Sequence, residues 1–373
     1  MDNNEVPGGG NQHEPGLSDI IDDSHPATEA SLRRALATSE QSPGPDHPET
    51  LARLEDLADF LDQKGDLAAA ESLYLRALET RKRTLGPEHP DTLTSFDRLA
   101  MVLYSQCDYA AAEPLVRRAL EARERVLGPD HPDTLTSVSH LAIFLESQRD
   151  HAACEPLFRR ALAASQRVLG AEHPDTLSRM NDLGMFLYAK WDYAQAEPLL
   201  RRALEARQRV LGAEHHDTLT SVNNLALLLD QQGDFEAAEK MFRHTLDVSQ
   251  RDLGAEHPDT LTSLSNLALS LLSKLDFESS EPLLRRALAA RQRVLGPEHP
   301  DTLTSLNNLA KLLDQKGDYA AAEPMFRDAL AGLERKLGPD DLTVQICRMS
   351  WQRCRDSLKQ QDQHSKPWWK FWA

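Results

Sequence analysis

HPDTLTSLNNLA at residues 299–310 repeats, with small changes, HPDTLTSVSHLA at 131–142 and HPDTLTSLSNLA at 257–268. The histidine that opens the phrase recurs at His47, His89, His131, His173, His215, His257 and His299, always 42 residues apart and without insertion. A strict period of this size means a stack of supersecondary units, each burying its apolar face only against its neighbours.

One unit, residues 217–252, carries the pattern of two helices. Leu219, Val222, Leu225, Ala226 and Leu229 recur at helical spacing and predict a helix A. Gly233-Asp234 then interrupts it, glycine suiting a left-handed helix end and aspartate the next N-cap. Phe235, Ala238, Phe242, Thr245 and Leu246 mark a helix B that ends at Leu253-Gly254. The loop AEHPDT follows, and its aspartate is expected to cap the next helix A. Two positions stay small. On helix A they are Ala58, Ala100, Ala142, Gly184, Ala226, Ala268 and Ala310; on helix B they are Ala77, Ala119, Ala161, Ala203, Thr245, Ala287 and Ala329. Small side chains at fixed places let two antiparallel helices approach closely.

A small residue on A, a Gly-Asp-Tyr/Phe turn, and alanine with an aromatic or leucine on B resemble the tetratricopeptide repeat (TPR). The 42-residue unit, with its LGPEHPDTLTSLNNLA and GDYAAAEPLFRRAL-type phrases, resembles the kinesin light chain class of TPR over about residues 26–341. The long heptad coiled coil of kinesin light chain has no counterpart in residues 1–25. The resemblance implies an all-α, right-handed TPR superhelix, an α-solenoid of antiparallel helix pairs.

The register extends beyond the full units. Glu29 and Ala35 stand 42 residues before Glu71 and Ala77, so residues 26–341 read as a lone helix B plus seven repeats. Residues 342–362 read as an amphipathic helix capping the open end, and 363–373 as a tryptophan-rich tail. Residues 1–25, rich in Gly, Pro and Asp and without Lys or Arg, are expected to be a disordered acidic leader. Cys107, Arg149, Trp191 and Leu275 stand where Gly65, Gly233 and Gly317 stand in other units, and those turns are expected to be less comfortable at positive φ.

Composition narrows the function. The formal net charge of −17 argues against binding duplex nucleic acid, which needs a basic face. The four cysteines show no CxxC pairing. Cys347 and Cys354 on one helix would lie roughly 10 Å apart, too far for a disulfide, so reduced thiols and a cytoplasmic setting are expected. No apolar run approaches the ~20 residues of a membrane span, and the N-terminus has no secretory pattern.

Seven histidines beside acids (Asp46, Glu88, Asp130, Glu172, Glu214, Glu256, Glu298) invite a metal or general-base reading. Successive loops in a helical stack are roughly 10 Å apart, whereas a zinc ligand must lie within ~2.1 Å, so such ligands cannot converge. A fastening role in the stack is the better reading. The Arg-Arg pairs on helix B are expected to meet glutamates at helical spacing rather than form a basic stripe. No P-loop, GxGxxG, HExxH or GxSxG is present. The expectation is a non-catalytic protein-interaction scaffold with no cofactor, no catalytic residue and no metal. The alternatives are a regulatory arm acting in trans on a signalling partner, or an enzyme with a site between repeats.

In TPR arrays helix A lines the concave surface. Alignment on the turn gives one groove-facing rung: Glu55, Asp97, Ser139, Asn181, Asn223, Ser265 and Asn307. Four residues on lie Asp59, Met101, Ile143, Met185, Leu227, Leu269 and Lys311. Asn181, Asn223 and Asn307 are expected to hydrogen-bond the backbone of an extended peptide, with the apolar neighbours supplying pockets. The adjacent Asn224, Asn266 and Asn308 read as structural. The resemblance implies a peptide or adaptor partner, and the acidic N-terminal rungs point to one with a basic segment. The tail KPWWKFWA, with Trp368, Trp369 and Trp372, is a candidate docking segment for its own groove or a neighbour's. Packing beside Trp351, weak contact with a membrane surface and self-association stay open.

Overall fold

The computed structural model describes residues 28–365 apart from Cys107 and Asp340, and these form sixteen helices and no strand. Numbered in chain order, α1 (Glu29–Gln41) stands alone. The A helices are α2 (Pro48–Gln63), α4 (Pro90–Ser105), α6 (Pro132–Ser147), α8 (Pro174–Ala189), α10 (His216–Gln232), α12 (Pro258–Ser273) and α14 (Pro300–Gln315). The B helices are α3 (Leu67–Thr84), α5 (Tyr109–Val126), α7 (His151–Val168), α9 (Tyr193–Val210), α11 (Phe235–Asp252), α13 (Phe277–Val294) and α15 (Tyr319–Leu337). Last comes α16 (Leu342–Ser365), packed on α15.

Each helix packs on the next in an unbroken α-solenoid. The small residues sit at the closest approaches: Ala58, Ala100, Ala142, Ala203 and Ala287 are wholly buried. Gly184 is required by space, since a Cβ there would lie 2.7 Å from a methyl of Leu200. Phe96, Phe158, Phe186, Phe242 and Phe326 fill the gaps between pairs. Successive A helices also touch, at α4–α6, α8–α10, α10–α12 and α12–α14. Successive B helices make no contact of that extent, so the A helices line the shorter, inner side of the curve.

The A-to-B turns follow the expected chemistry. Gly65, Gly233 and Gly317 take positive φ (79°, 88° and 83°), and Asp66, Asp234 and Asp318 cap the following helices through Oδ1. Arg149, Trp191 and Leu275 are held at φ 61–64° without glycine's freedom. Cys107 lies outside the described residues. The B-to-A loops differ from expectation, because the cap of helix A is the histidine and not the aspartate. Nδ1 of His89, His131 and His173 accepts the amide of Asp91, Asp133 and Asp175 at 3.2–3.3 Å. Proline at the first helical position needs no acceptor, and the aspartate falls inside the first turn, where its charge favours the helix dipole.

Candidate functional site

The acids beside the capping histidines are engaged as well. Asp46, Glu88, Asp130, Glu172, Glu214, Glu256 and Glu298 pair with Arg83, Arg125, Arg167, Arg209, Arg251, Arg293 and Arg335 at the end of helix B in the same unit. Threonine continues the clasp: Thr92, Thr134 and Thr218 donate to the carbonyls of Gly86, Gly128 and Gly212 at 2.8 Å. The repeated phrase therefore fastens helix B to the next helix A. Among the described residues no three His, Cys, Asp or Glu side chains come together as a metal-binding group. Arg117, Arg159, Arg201 and Arg285 meet Glu113, Glu155, Glu197 and Glu281 one helical turn away. Cys154, Cys347 and Cys354 are buried, and desolvation pushes their thiols up to about 11, 11 and 12.

The first expected rung lies in the seams between units rather than on open surface. Glu55, Asp97, Ser139, Asn181, Ser265 and Asn307 are buried, and Asn223 alone is half-exposed. At Glu55, Asp97 and Ser265 the seam is closed by an arginine on helix B that the sequence reading left out. Arg81, Arg123, Arg207 and Arg291 run inward and place a guanidinium between two A helices. Nη1 of each donates to a serine of the following helix A: Ser95 (2.6 Å), Ser137 (2.5 Å), Ser221 (2.8 Å) and Ser305 (2.6 Å). The same guanidinium reaches back to Glu55, Asp97 or Ser265 of the preceding helix A. Nη2 of Arg123, Arg207 and Arg291 also donates to Thr94, Ser178 and Thr262. Asn224 donates to Oδ1 of Asn181 across the α8–α10 seam at 3.1 Å.

The second rung is the accessible one. Asp59, Met101, Ile143, Met185, Leu227, Leu269 and Lys311 are each half-buried along the inner side. Asp59 binds Arg98 and accepts the Tyr74 hydroxyl. Burial holds the Lys311 amine below its ordinary range. Carboxyls flank the apolar members. Burial, with Asp59 adding repulsion, raises the Asp62 carboxyl, and burial raises Asp56. Desolvation lifts Glu146 and Asp182 to about 6. Trp368, Trp369 and Trp372 lie outside the described residues.

Among the described residues no helix is long and apolar enough to cross a membrane. A family model described as tetratricopeptide repeat matches in seven overlapping stretches: 21–83, 52–125, 97–143, 136–190, 179–251, 231–292 and 259–335. No curated protein matches the chain. Among solved structures, it is similar to the Rap conjugation gene regulator of plasmid pLS20 in complex with its Phr peptide (14% identity, 89% of this chain, 82% of that one, TM-score 0.62). It is similar to yeast Tom70 (16% identity, 91% and 60%, TM-score 0.51). It is also similar to nearly identical TPR-like repeats from Podosopora anserina assigned to kinesin light chain (24% identity, 55% and 97%, TM-score 0.46).

Proposed function

Because the chain belongs to the tetratricopeptide repeat family, we propose that it is a non-catalytic interaction scaffold that takes an extended peptide along the inner side of its A helices. The observation that carries this reading is the apolar ladder of Met101, Ile143, Met185, Leu227 and Leu269, half-exposed at one position of five consecutive A helices. Apolar side chains at regular spacing on a curved inner face suit the alternate side chains of an extended segment. Carboxyls at Asp56, Asp62, Glu146 and Asp182 favour a partner with basic residues. Asn223 is the first-rung amide that such a partner reaches; Asn181 is taken up in the α8–α10 seam by Asn224, and Asn307 is buried. We read α1 and α16 as the ends of the repeat array, and the buried thiols as suited to a reducing, cytoplasmic setting.

The test is a peptide array probed with the intact protein and with a Met185→Glu/Leu227→Glu variant. Peptides held by the first and lost by the second support the groove. Equal binding by both moves the function off the inner face.

A further inference from the structure

The guanidinium seat between A helices follows a rule along the chain. Each seam pairs a helix-B position with one on the following helix A, and at six of them the pair is one arginine and one serine. The arginine comes from helix B at Arg81/Ser95, Arg123/Ser137, Arg207/Ser221 and Arg291/Ser305, and from helix A at Ser39/Arg53 and Ser165/Arg179. At the latter, Arg179 is 5% exposed and its Nη2 donates to Thr136 at 3.1 Å. Thr136 is the counterpart of Thr94 and Thr262, which other seams present to a helix-B arginine. The same seat is thus filled from the opposite side.

One internal seam breaks the rule. Between α10, α11 and α12 the pair is Ser249/Ser263, with no arginine on either side. There the structure has a cavity of about 560 Å³, lined by the counterparts of the acceptors that hold a guanidinium elsewhere: Thr220, Asn223, Ser263 and Asp259. The amide oxygen of Asn223, at the position of Asp97, is buried and accepts no hydrogen bond. Glu214, Asp252 and Asp259 also line the cavity, and no lysine or arginine does. Arg251, two residues after Ser249, is taken up by Glu214 and Asp252. His216 and His257 are 3.6 Å from Asp259. Leu227 of the apolar ladder forms part of the wall, so the cavity opens onto the inner face.

We propose that this seam is a socket for an arginine side chain of a bound peptide, which completes the α10–α11–α12 seam as the chain's own arginines complete the others. The proposal rests on the groove reading above and names the residue type that one stretch of the groove selects. Lysine fits poorly, because a single ammonium cannot span the serine, threonine and amide acceptors that a planar fork reaches together.

The test titrates the full-length protein with Nα-acetyl-L-arginine amide and with its lysine counterpart. Saturable binding of the arginine compound, at least about ten-fold tighter than lysine, is expected. Ser249→Arg supplies the missing side chain as α9 does, and Ser263→Arg supplies it as α8 does. Each is expected to abolish that binding and raise the thermal midpoint, while Gln250→Arg, which adds the same charge on exposed surface, retains it. Should one filled variant fail to fold, the other carries the test. Equal binding of the two compounds, or binding retained when the seat is filled, overturns the socket. Peptides that still depend on Met185 and Leu227 but show no preference for arginine would remove the socket and leave the groove; arginine-amide binding without any peptide binding would do the reverse.

Discussion

Gly65, in the turn between α2 and α3, lies against the imidazole of His299, the N-cap of α14, so closely that a methyl group on Gly65 would sit 2.5 Å from Nε2. The first unit thereby meets the loop that opens the seventh, and residues of both line a cleft of about 460 Å³. The His299 side chain is 19% exposed, against 40–45% for its counterparts at 89, 131, 173, 215 and 257. Gly317 has the same positive φ and open space around it. Gly317→Ala is therefore expected to cost about 1 kcal/mol of backbone strain. Gly65→Ala should cost more and increase the radius of gyration in solution scattering. Equal losses with unchanged radii would mean that the two units do not touch.

The same contact is expected to respond to acid. Burial lowers the His299 pKa, with Arg291 and Lys336 adding repulsion and Asp301 partly offsetting it. A base with a depressed folded pKa contributes stability that is complete above its ordinary value, about 6.5, and is lost as pH falls below it. The radius of gyration should therefore grow between pH 7.5 and 5. His299→Asn keeps a capping side chain and should remove most of that change. An identical pH profile in the variant would discard the assignment to His299.

Arg123 and Asp97 form the most enclosed ion pair of the seams, with side chains 3% and 7% exposed. Asp97→Ala leaves a buried guanidinium without its counter-charge and is expected to cost about 3–5 kcal/mol. Removing both partners should cost less than the two single losses added together. The outer pair Arg125–Glu88, more than half exposed on each side, should yield only a few tenths of a kcal/mol. Urea denaturation of the four variants checks the ranking.

What the sequence revealed and what it hid divide along physical lines. The small residues at Ala58 or Ala203 and the turn glycines report local demands, space and positive φ, so the period exposes the helix pairs directly. The capping histidine was hidden by its neighbour, because aspartate is the commoner cap and only proline at the first helical position puts the aspartate two residues past the cap. The burial of Asp97 and Ser265 goes with an arginine 26 residues away on another helix. No helical spacing shows that link. The exchange of arginine and serine across seams is written in the sequence, yet it becomes readable only once α7 is known to face α8 at Ser165 and Arg179.

Three turns hold non-glycine residues in the left-handed region, at Arg149, Trp191 and Leu275. Leu275 is 65% exposed, so little packing offsets the strain. Leu275→Gly and Arg149→Gly are each expected to stabilise by about 1 kcal/mol. Trp191→Gly should return less, since the indole also packs against Tyr193 at 6.1 Å between ring centres. Thermal midpoints that fall in the first two variants would show that these turns are not strained.

The inner-face carboxyls give the opposite pH response to His299. Desolvation raises Glu146 to about 6, with Asp182 adding repulsion; desolvation likewise raises Asp182 to about 6, against the pull of Arg207, Arg179 and His140. An acid whose folded pKa exceeds its unfolded value, about 4, favours the fold while protonated in both states. That advantage is lost as pH rises from about 4 through 6, where the unfolded chain ionises first. Asp182→Asn is therefore expected to raise stability at pH 7, by on the order of 1 kcal/mol, and to change it little at pH 4. A cationic peptide bound to this face neutralises the same charges, so its affinity should fall as pH drops from 7 to 5 and fall less in the variant. Urea midpoints at the two pH values test the first expectation. Titration of an arginine-containing peptide from the array tests the second; affinity that is flat with pH would place the basic part of the partner away from Glu146 and Asp182.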